Sequence, residues 1–267
     1  MSRRRVKRWA GVSVEDLRAR WGREDVHLFG EVDSTNDIAR EMAAEGAGAE
    51  TIVLSRSQTA GRGRGDNRFH SPPDGGVYLT MIFDPAGDWL GSPVTILAGL
   101  GVAIELERRF PDLRPGLKWP NDLIARGRKL GGILAETAAG PDGGDRLVIG
   151  VGVNLSTDAL PKALAKRVIG VRDCCDDVEP VEVAGAIVRG LERWLRAPPD
   201  LLTEDMLARL DRLDRLKNRR VALDAGGDPT EGRAAGLAPD GALLFRPDRG
   251  ALRRVTSGSV ELLEGSE

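Results

Sequence analysis

The stretch Arg56-Ser57-Gln58-Thr59-Ala60-Gly61-Arg62-Gly63-Arg64 follows an apolar run, Thr51-Ile52-Val53-Leu54-Ser55, that reads as a buried strand. A strand that opens into a glycine-arginine loop presents an anion site. Gly61 and Gly63 have no side chain to cover their amides, so an anion can approach the backbone. Arg62 and Arg64 add fork-shaped donors suited to carboxylate and phosphate. Further along come Lys118-Trp119-Pro120-Asn121-Asp122 and Arg128-Lys129-Leu130-Gly131-Gly132, whose Lys118 and Lys129 supply two point charges for the same anion. The whole chain has a formal net charge of -2. The local excess therefore points to a small anionic ligand and not to a general basic surface.

Outward from this loop, the composition is that of a globular protein. The chain has 267 residues, 41% hydrophobic and 30% charged, enough for one large or two smaller domains. Aromatics are only 4%, so the core must rest on Leu, Val, Ile and Ala. No run of about 18 apolar residues is present, so no membrane span is expected. The N-terminus has basic residues but no apolar stretch behind them, which argues against a secretory signal and for a cytoplasmic protein. Cys174 and Cys175 are adjacent and read as free thiols, with no further Cys for a zinc site.

Along the chain, Arg3, Arg4, Arg5, Lys7 and Arg8 form a basic terminus that reads as a frayed, solvated tail, with contact to nucleic acid as the lesser alternative. Val26 to Phe29 reads as a strand. Ser34 or Thr35 caps a helix to about Glu45, ended by Gly46. Val77 to Phe83 reads as a strand buried on both faces, and Ser92-Pro93 opens a helix to about Arg109. Leu117–Ala125 and Lys129–Glu136 read as a strand pair turned by Arg126-Gly127-Arg128, which would gather Lys118, Asp122 and Lys129. Leu147 to Leu155 is a further strand, and helices are expected near Val181–Leu195 and Thr203–Leu216. From Arg220 to Leu263, short alternating runs broken by glycine pairs predict a small β-barrel. The expected division is 1–25 as basic tail and lead-in, 26–217 as the main domain and 218–267 as the barrel.

Six segments, in order, resemble the biotin protein ligase family: Val32-Asp33-Ser34-Thr35-Asn36, Gln58 to Arg64, Ser71-Pro72, Lys118 to Asp122, Arg128 to Leu134, and Gly150-Val151-Gly152-Val153-Asn154. The resemblance implies an α+β fold: a class II synthetase-like mixed sheet with flanking helices, followed by an SH3-like barrel. It implies ATP-dependent formation of biotinyl-5'-AMP, then transfer of biotin to a lysine of a biotin carboxyl carrier domain such as that of acetyl-CoA carboxylase. Biotin, ATP and Mg²⁺ are the implied small molecules, with the metal bound mainly through the ATP phosphates. Some relatives carry an N-terminal DNA-binding domain. Only 32 residues precede Asp33, so specific DNA binding is not expected, and a monomer or weak homodimer is.

By the same resemblance, Ser34, Thr35, Asn36, Gln58, Gly61, Arg62, Gly63, Arg64 and Lys129 would hold biotin. The nucleotide would meet Arg62, Arg64, Phe69, Lys118, Asn121, Lys129 and Asn154, the last reading the adenine edge. Arg64, Lys118, Lys129 and Asp122 would carry the chemistry, Asp122 by orienting or deprotonating the acceptor lysine. The loop departs from the family pattern at Gly65-Asp66-Asn67-Arg68-Phe69, where Asp66 stands for a usual glycine, Asn67 for arginine and Phe69 for tryptophan. Asp66 is therefore expected to lie near the phosphate and loosen the adenylate. Two other readings share these residues: a lipoate ligase of the same fold, and a non-catalytic paralogue that senses biotin or its adenylate.

Overall fold

The computed structural model describes residues 4–84, 93–196 and 199–263. Arg3 and Ser92, named above, lie outside them. The first elements are a hairpin of β1 (Arg8–Trp9) and β2 (Val12–Ser13), then α1 (Val14–Trp21). Ser13 caps α1 by accepting the Asp16 N–H at 3.1 Å, and Gly22 closes it in the left-handed region. Trp9 and Leu17 are buried in the main core. The segment expected to be a frayed tail is thus tied down among the described residues: Arg5 bridges Phe29, Val6 N–H donates to the Leu28 carbonyl at 2.9 Å, and Gly30 N–H donates to the Arg4 carbonyl at 3.2 Å.

Seven strands form one mixed sheet: β3 (Val26–Val32), β4 (Ile52–Gln58), β5 (Gly76–Phe83), β6 (Gly116–Lys118), β7 (Asp122–Ala125), β8 (Arg128–Ala139) and β9 (Asp145–Asn154). Their order is β3-β4-β5-β9-β8-β7-β6. Only β3 and β4 pair in parallel, joined by α2 (Thr35–Ala44); the other pairs are antiparallel. Every residue of β5 is buried, as its two-faced apolar pattern predicts. Val77, Leu79, Met81 and Phe83 share the main core with α3 (Val94–Arg109) and α5 (Pro180–Leu195). Ile82, with Val53 and Val148, packs instead under Ile38, Ala39 and Ala43 of α2. The helices therefore flank the sheet on both faces, since alternate strand residues point to opposite sides. Gly101 and Gly190 let α3 and α5 cross closely; a Cβ on either would overlap the backbone of the other.

The stretch Leu117–Ala125 is not one strand. β6 and β7 form their own hairpin through Trp119, Pro120 and Asn121, with a cis Trp119–Pro120 peptide. Pro120 has no N–H to give to a ladder, so a continuous strand through it is disfavoured. The β7–β8 turn does fall at Arg126 and Gly127, both at positive φ (47° and 72°), as a tight hairpin requires.

After the sheet come α4 (Lys162–Ala165), α5, and α6 (Glu204–Leu213), capped by Thr203. The chain then forms a five-stranded antiparallel sheet of β10 (Arg220–Asp224), β11 (Thr230–Leu237), β12 (Leu243–Pro247), β13 (Arg253–Val255) and β14 (Ser259–Leu262), in the order β13-β12-β11-β10-β14. Trp119 packs at the join between the two sheets, its indole N–H donating to the Gly241 carbonyl at 3.1 Å. Among the described residues, no helix is long and apolar enough to cross a membrane.

Candidate active site

A cleft of about 1450 Å³ runs from the start of α2, across β8 and β9, to the turn and strand Gly258–Leu262 of the C-terminal sheet. Its first end is polar and cross-linked. Ser34 and Thr35 lie where β3 turns into α2, both buried. Ser34 holds the N-cap position, but its hydroxyl makes no cap bond. The Thr35 N–H and hydroxyl both donate to Gln58 Oε1, at 2.8 and 3.1 Å. Gln58 Nε2 donates to Ser71 Oγ at 2.7 Å. The chain direction of β3 and β4 explains this meeting, since their parallel register places Val32 beside Gln58.

Asn36 also lines the cleft, but its amide is used within the protein. Its Nδ2 donates to Glu136 at 2.8 Å and to the Leu134 carbonyl at 3.4 Å, and its Oδ1 lies 2.8 Å from Thr80 Oγ1. Gly150 makes room for it, since a Cβ there would overlap Asn36 Oδ1.

The glycine-arginine loop doubles back on itself. Phe69 N–H donates to the Gly61 carbonyl at 2.9 Å, and Gly63 N–H to the Asn67 carbonyl at 2.7 Å. A Cβ at Gly61 would collide with the Phe69 carbonyl and Ser71 Oγ. The expectation that both amides stand open to an anion is thereby corrected. The missing Cβ at Gly61 serves packing, Gly61 is buried away from the cleft lining, and the Gly63 amide already has a partner. Phe69 lies over Gly152, whose Cβ would meet the ring at 2.6 Å, and it touches Tyr78 edge-on with centroids 6.3 Å apart. Asn67 Nδ2 donates to the Arg64 carbonyl at 2.9 Å, so this residue closes the loop. Asp66 is exposed and is not among the residues lining the cleft, against the expectation that it faces a phosphate.

The four expected cations do line the cleft, each in a protein environment of its own. Arg62 Nη2 meets Glu136 at 2.5 Å and Asp37 at 2.9 Å. Arg64 donates to the Gly258 carbonyl of the C-terminal sheet at 2.5 Å. Lys129 Nζ lies 2.5 Å from Asp122 Oδ1. Lys118 is the register partner of Asp122 across the β6–β7 hairpin. Burial lowers its amine below the usual lysine value; Asp122 and Glu261 oppose the shift, while Lys129 and Arg167 add to it. Asn121 lines the cleft, its Nδ2 donating to the Ile133 carbonyl at 2.8 Å.

Asn154 is the one nucleotide-site candidate that the fold turns away. It is buried outside the cleft lining, with Nδ2 3.4 Å from the Lys129 carbonyl and 3.5 Å from that of Ile169. It braces the strand behind Lys129 and does not face a base. The sequence reading missed Asp37, Thr80 and Glu136, and also Arg114, Lys166, Arg167, Arg215 and Arg219 on the cleft wall. No local pattern marks them; only the tertiary fold brings them there. Among the described residues, twelve Lys or Arg and only two acids, Asp122 and Glu261, line the cleft. Among the described residues, no group of three or more His, Cys, Asp or Glu stands together to hold a metal on protein ligands alone. Cys174 and Cys175 are free thiols, their pKa values raised by burial.

Residues 28–154 match the biotin/lipoate A/B protein ligase family, and residues 218–263 match the biotin protein ligase C-terminal domain. The biotin–[acetyl-CoA-carboxylase] ligase of Mycobacterium tuberculosis is 32% identical over 199 residues, covering 68% of this chain and 70% of that one. The ligase of the same name from Paracoccus denitrificans is 28% identical over 234 residues, covering 84% and 95%. Among solved structures, the biotin protein ligase of Aquifex aeolicus in complex with biotin and ATP superposes with a TM-score of 0.74 at 23% identity, covering 90% of this chain and 99% of that chain. By these matches in both sheets, this chain belongs to the biotin protein ligase family.

Proposed function

We propose that the protein joins biotin to ATP in this cleft and then transfers biotin to a lysine of a carboxylase carrier domain. The observation that carries the reading is the sequence of environments along one cleft. A hydrogen-bonded polar end (Ser34, Thr35, Gln58) is followed by the cations Arg64, Lys118 and Lys129. A urea ring needs donors and acceptors together, and hydroxyl and amide side chains supply both. The carboxylate at the other end of biotin must attack a phosphate that is itself negative. Two unit charges 4 Å apart repel by about 4 kcal/mol at an effective dielectric near 20. Fixed cations offset that repulsion with little reorganisation.

In the first step a biotin carboxylate oxygen bonds to the α-phosphorus and pyrophosphate leaves. Lys129 and Arg64 hold the carboxylate and the adenylate phosphate, and Lys118 meets the leaving phosphates. Binding exchanges partners already present, since Lys129 leaves Asp122 and Arg64 leaves the Gly258 carbonyl. Mg²⁺ supplies charge neutralisation on the phosphates when bound with ATP. With Asp122 and Glu261 the two carboxylates lining the cleft, it would take its ligands mainly from ATP and water. In the second step the acceptor amine attacks the acyl carbon, AMP leaves, and the amine proton passes to Asp122, now released from Lys129. Phe69 offers a smaller aromatic face to the nucleotide than tryptophan would. The catalytic unit on this reading is 26–217, with 218–267 closing one wall of the cleft. The test is mass spectrometry of a biotin carrier domain incubated with the protein, biotin, ATP and Mg²⁺. One added biotin on one lysine supports the reading; an unmodified carrier with no pyrophosphate release defeats it.

A further inference from the structure

Glu136 lies outside the motifs that mark the site and does not line the cleft. It is nonetheless the point where both walls of the polar end are tied together. One oxygen, Oε2, accepts from Asn36 Nδ2 at 2.8 Å and from Arg62 Nη2 at 2.5 Å. Asn36 belongs to the first turn of α2, directly after Ser34 and Thr35. Arg62 belongs to the glycine-arginine loop. Glu136 itself is on β8, the strand that also carries Lys129. Arg62 is held on its other side by Asp37 of α2 at 2.9 Å.

From this geometry we infer that Glu136 is a positioning residue for biotin, and that Arg62 serves as its bridge and not as a ligand cation. The inference rests on the proposed function of the same cleft. The charge of Arg62 is already balanced by two carboxylates, Glu136 and Asp37, at hydrogen-bond distance. A guanidinium fixed in this way has little net charge left to offer a biotin carboxylate. It does have a structural consequence, because its planar fork fixes the loop relative to α2 and β8. The Asn36 branch acts on the opposite wall. The Asn36 amide, locked between Glu136, the Leu134 carbonyl and Thr80, sets where the first turn of α2 sits. Thr35 and Ser34 are displayed from that turn. A site that must recognise a neutral ring needs this rigidity more than it needs charge.

Because Glu136 acts through Arg62 and Asn36, its removal should affect biotin and not ATP. The experiment measures the dissociation constants of biotin alone and ATP alone by titration calorimetry, on the full chain. It compares wild type, Glu136→Gln, Arg62→Gln and the double variant. Expected is a biotin affinity weakened about tenfold or more in each single variant, with ATP affinity unchanged. The double variant should be no weaker than the worse single one, because residues in one network are not additive. Additive losses, equal losses for ATP, or undiminished biotin affinity in Glu136→Gln would each overturn the role. If Glu136→Gln does not fold, Glu136→Asp carries the same test: it keeps the charge but draws it back by one methylene, and unchanged biotin affinity defeats the inference. Wild-type protein that binds no biotin would overturn both this role and the proposed function. Intact wild-type binding with an unaffected Glu136→Gln would overturn this role alone.

Discussion

Lys129 and Asp122 meet as an ion pair, Nζ to Oδ1 at 2.5 Å, because the bulged antiparallel β7–β8 pairing sets Lys129 opposite Ile124, two residues along the strand from Asp122 and so on the same face. In the free protein the pair stores a cation and a base beside each other. Replacing Lys129 with Ala should slow biotin-dependent pyrophosphate release by roughly 10²- to 10³-fold, the range for removing one preorganised donor. Unchanged release would take Lys129 out of the first step. Asp122→Asn should spare the first step and slow lysine transfer, read from pyrophosphate and carrier labelling in parallel.

Much of this pair was legible from sequence, since a Lys-Trp-Pro-Asn-Asp segment and a Lys-Leu-Gly-Gly segment flank a short turn. The α+β order, the two-faced burial of β5 and the short antiparallel strands from Arg220 were legible for the same reason: each is written in local periodicity. Glu136, Asp37 and Thr80 were not. An acid in the middle of a strand has no local mark, and its meaning arises only when α2 folds over β8. Gly61 shows the converse error. A glycine beside arginines reads as an open amide, but a loop that doubles back needs the same missing Cβ for room.

Lys118 gives a pH dependence whose sign can be worked out. Burial lowers its amine below the ordinary lysine value of 10.5. Its positive charge is therefore lost at a lower pH than that of an exposed lysine. ATP affinity should fall as pH rises through that lowered value, and Lys118→Arg should abolish the fall. Between the lowered value and 10.5 the unfolded chain binds more protons, so stability from this group rises with pH across the window and is lost again as pH falls through it. A flat ATP affinity up to the ordinary lysine range would contradict this account.

Arg64 reaches across to the Gly258 carbonyl, so it is held by the C-terminal sheet before any ligand arrives. Arg64→Gly should let biotinyl-5'-AMP escape while some synthesis continues. A released mixed anhydride acylates exposed lysines without help, so albumin added as a bystander should gain biotin. Wild-type levels of bystander labelling, with adenylate still made, would show that Arg64 does not retain it.

Asp66 is exposed and outside the cleft, so the charge argument drawn from sequence does not apply to it. Asp66→Gly should leave the dissociation rate of preformed adenylate within about twofold, as expected for surface changes of under ~0.5 kcal/mol. Asn67→Ala should speed release, because it removes the bond from Asn67 Nδ2 to the Arg64 carbonyl. Slower release from Asp66→Gly at low salt would restore the electrostatic reading.

Gly150 is a packing position for the site. A Cβ there overlaps Asn36 Oδ1, so Gly150→Ala must displace the Asn36 amide. A loss of about 1–3 kcal/mol in stability is expected from such overpacking. Biotin affinity should weaken with it. Denaturant unfolding and calorimetry on the same sample check both, and a neutral Gly150→Ala would mean that the Asn36 network tolerates displacement.

The twelve basic and two acidic side chains of the cleft lie in a chain with 39 basic and 41 acidic residues, which leaves 27 and 39 elsewhere. Counting with the cleft the Glu136 and Asp37 carboxylates that balance Arg62, the protein is nearly neutral in total and sorted in space, about +8 along the cleft against -10 over the rest. An anion diffusing up to the molecule is repelled from most directions and drawn in from one. Such a funnel guides small anions at low ionic strength and fades once the screening length drops below the width of the opening. Polyanions longer than the cleft would be pulled to its rim yet unable to enter, and so would act as plugs that salt dislodges.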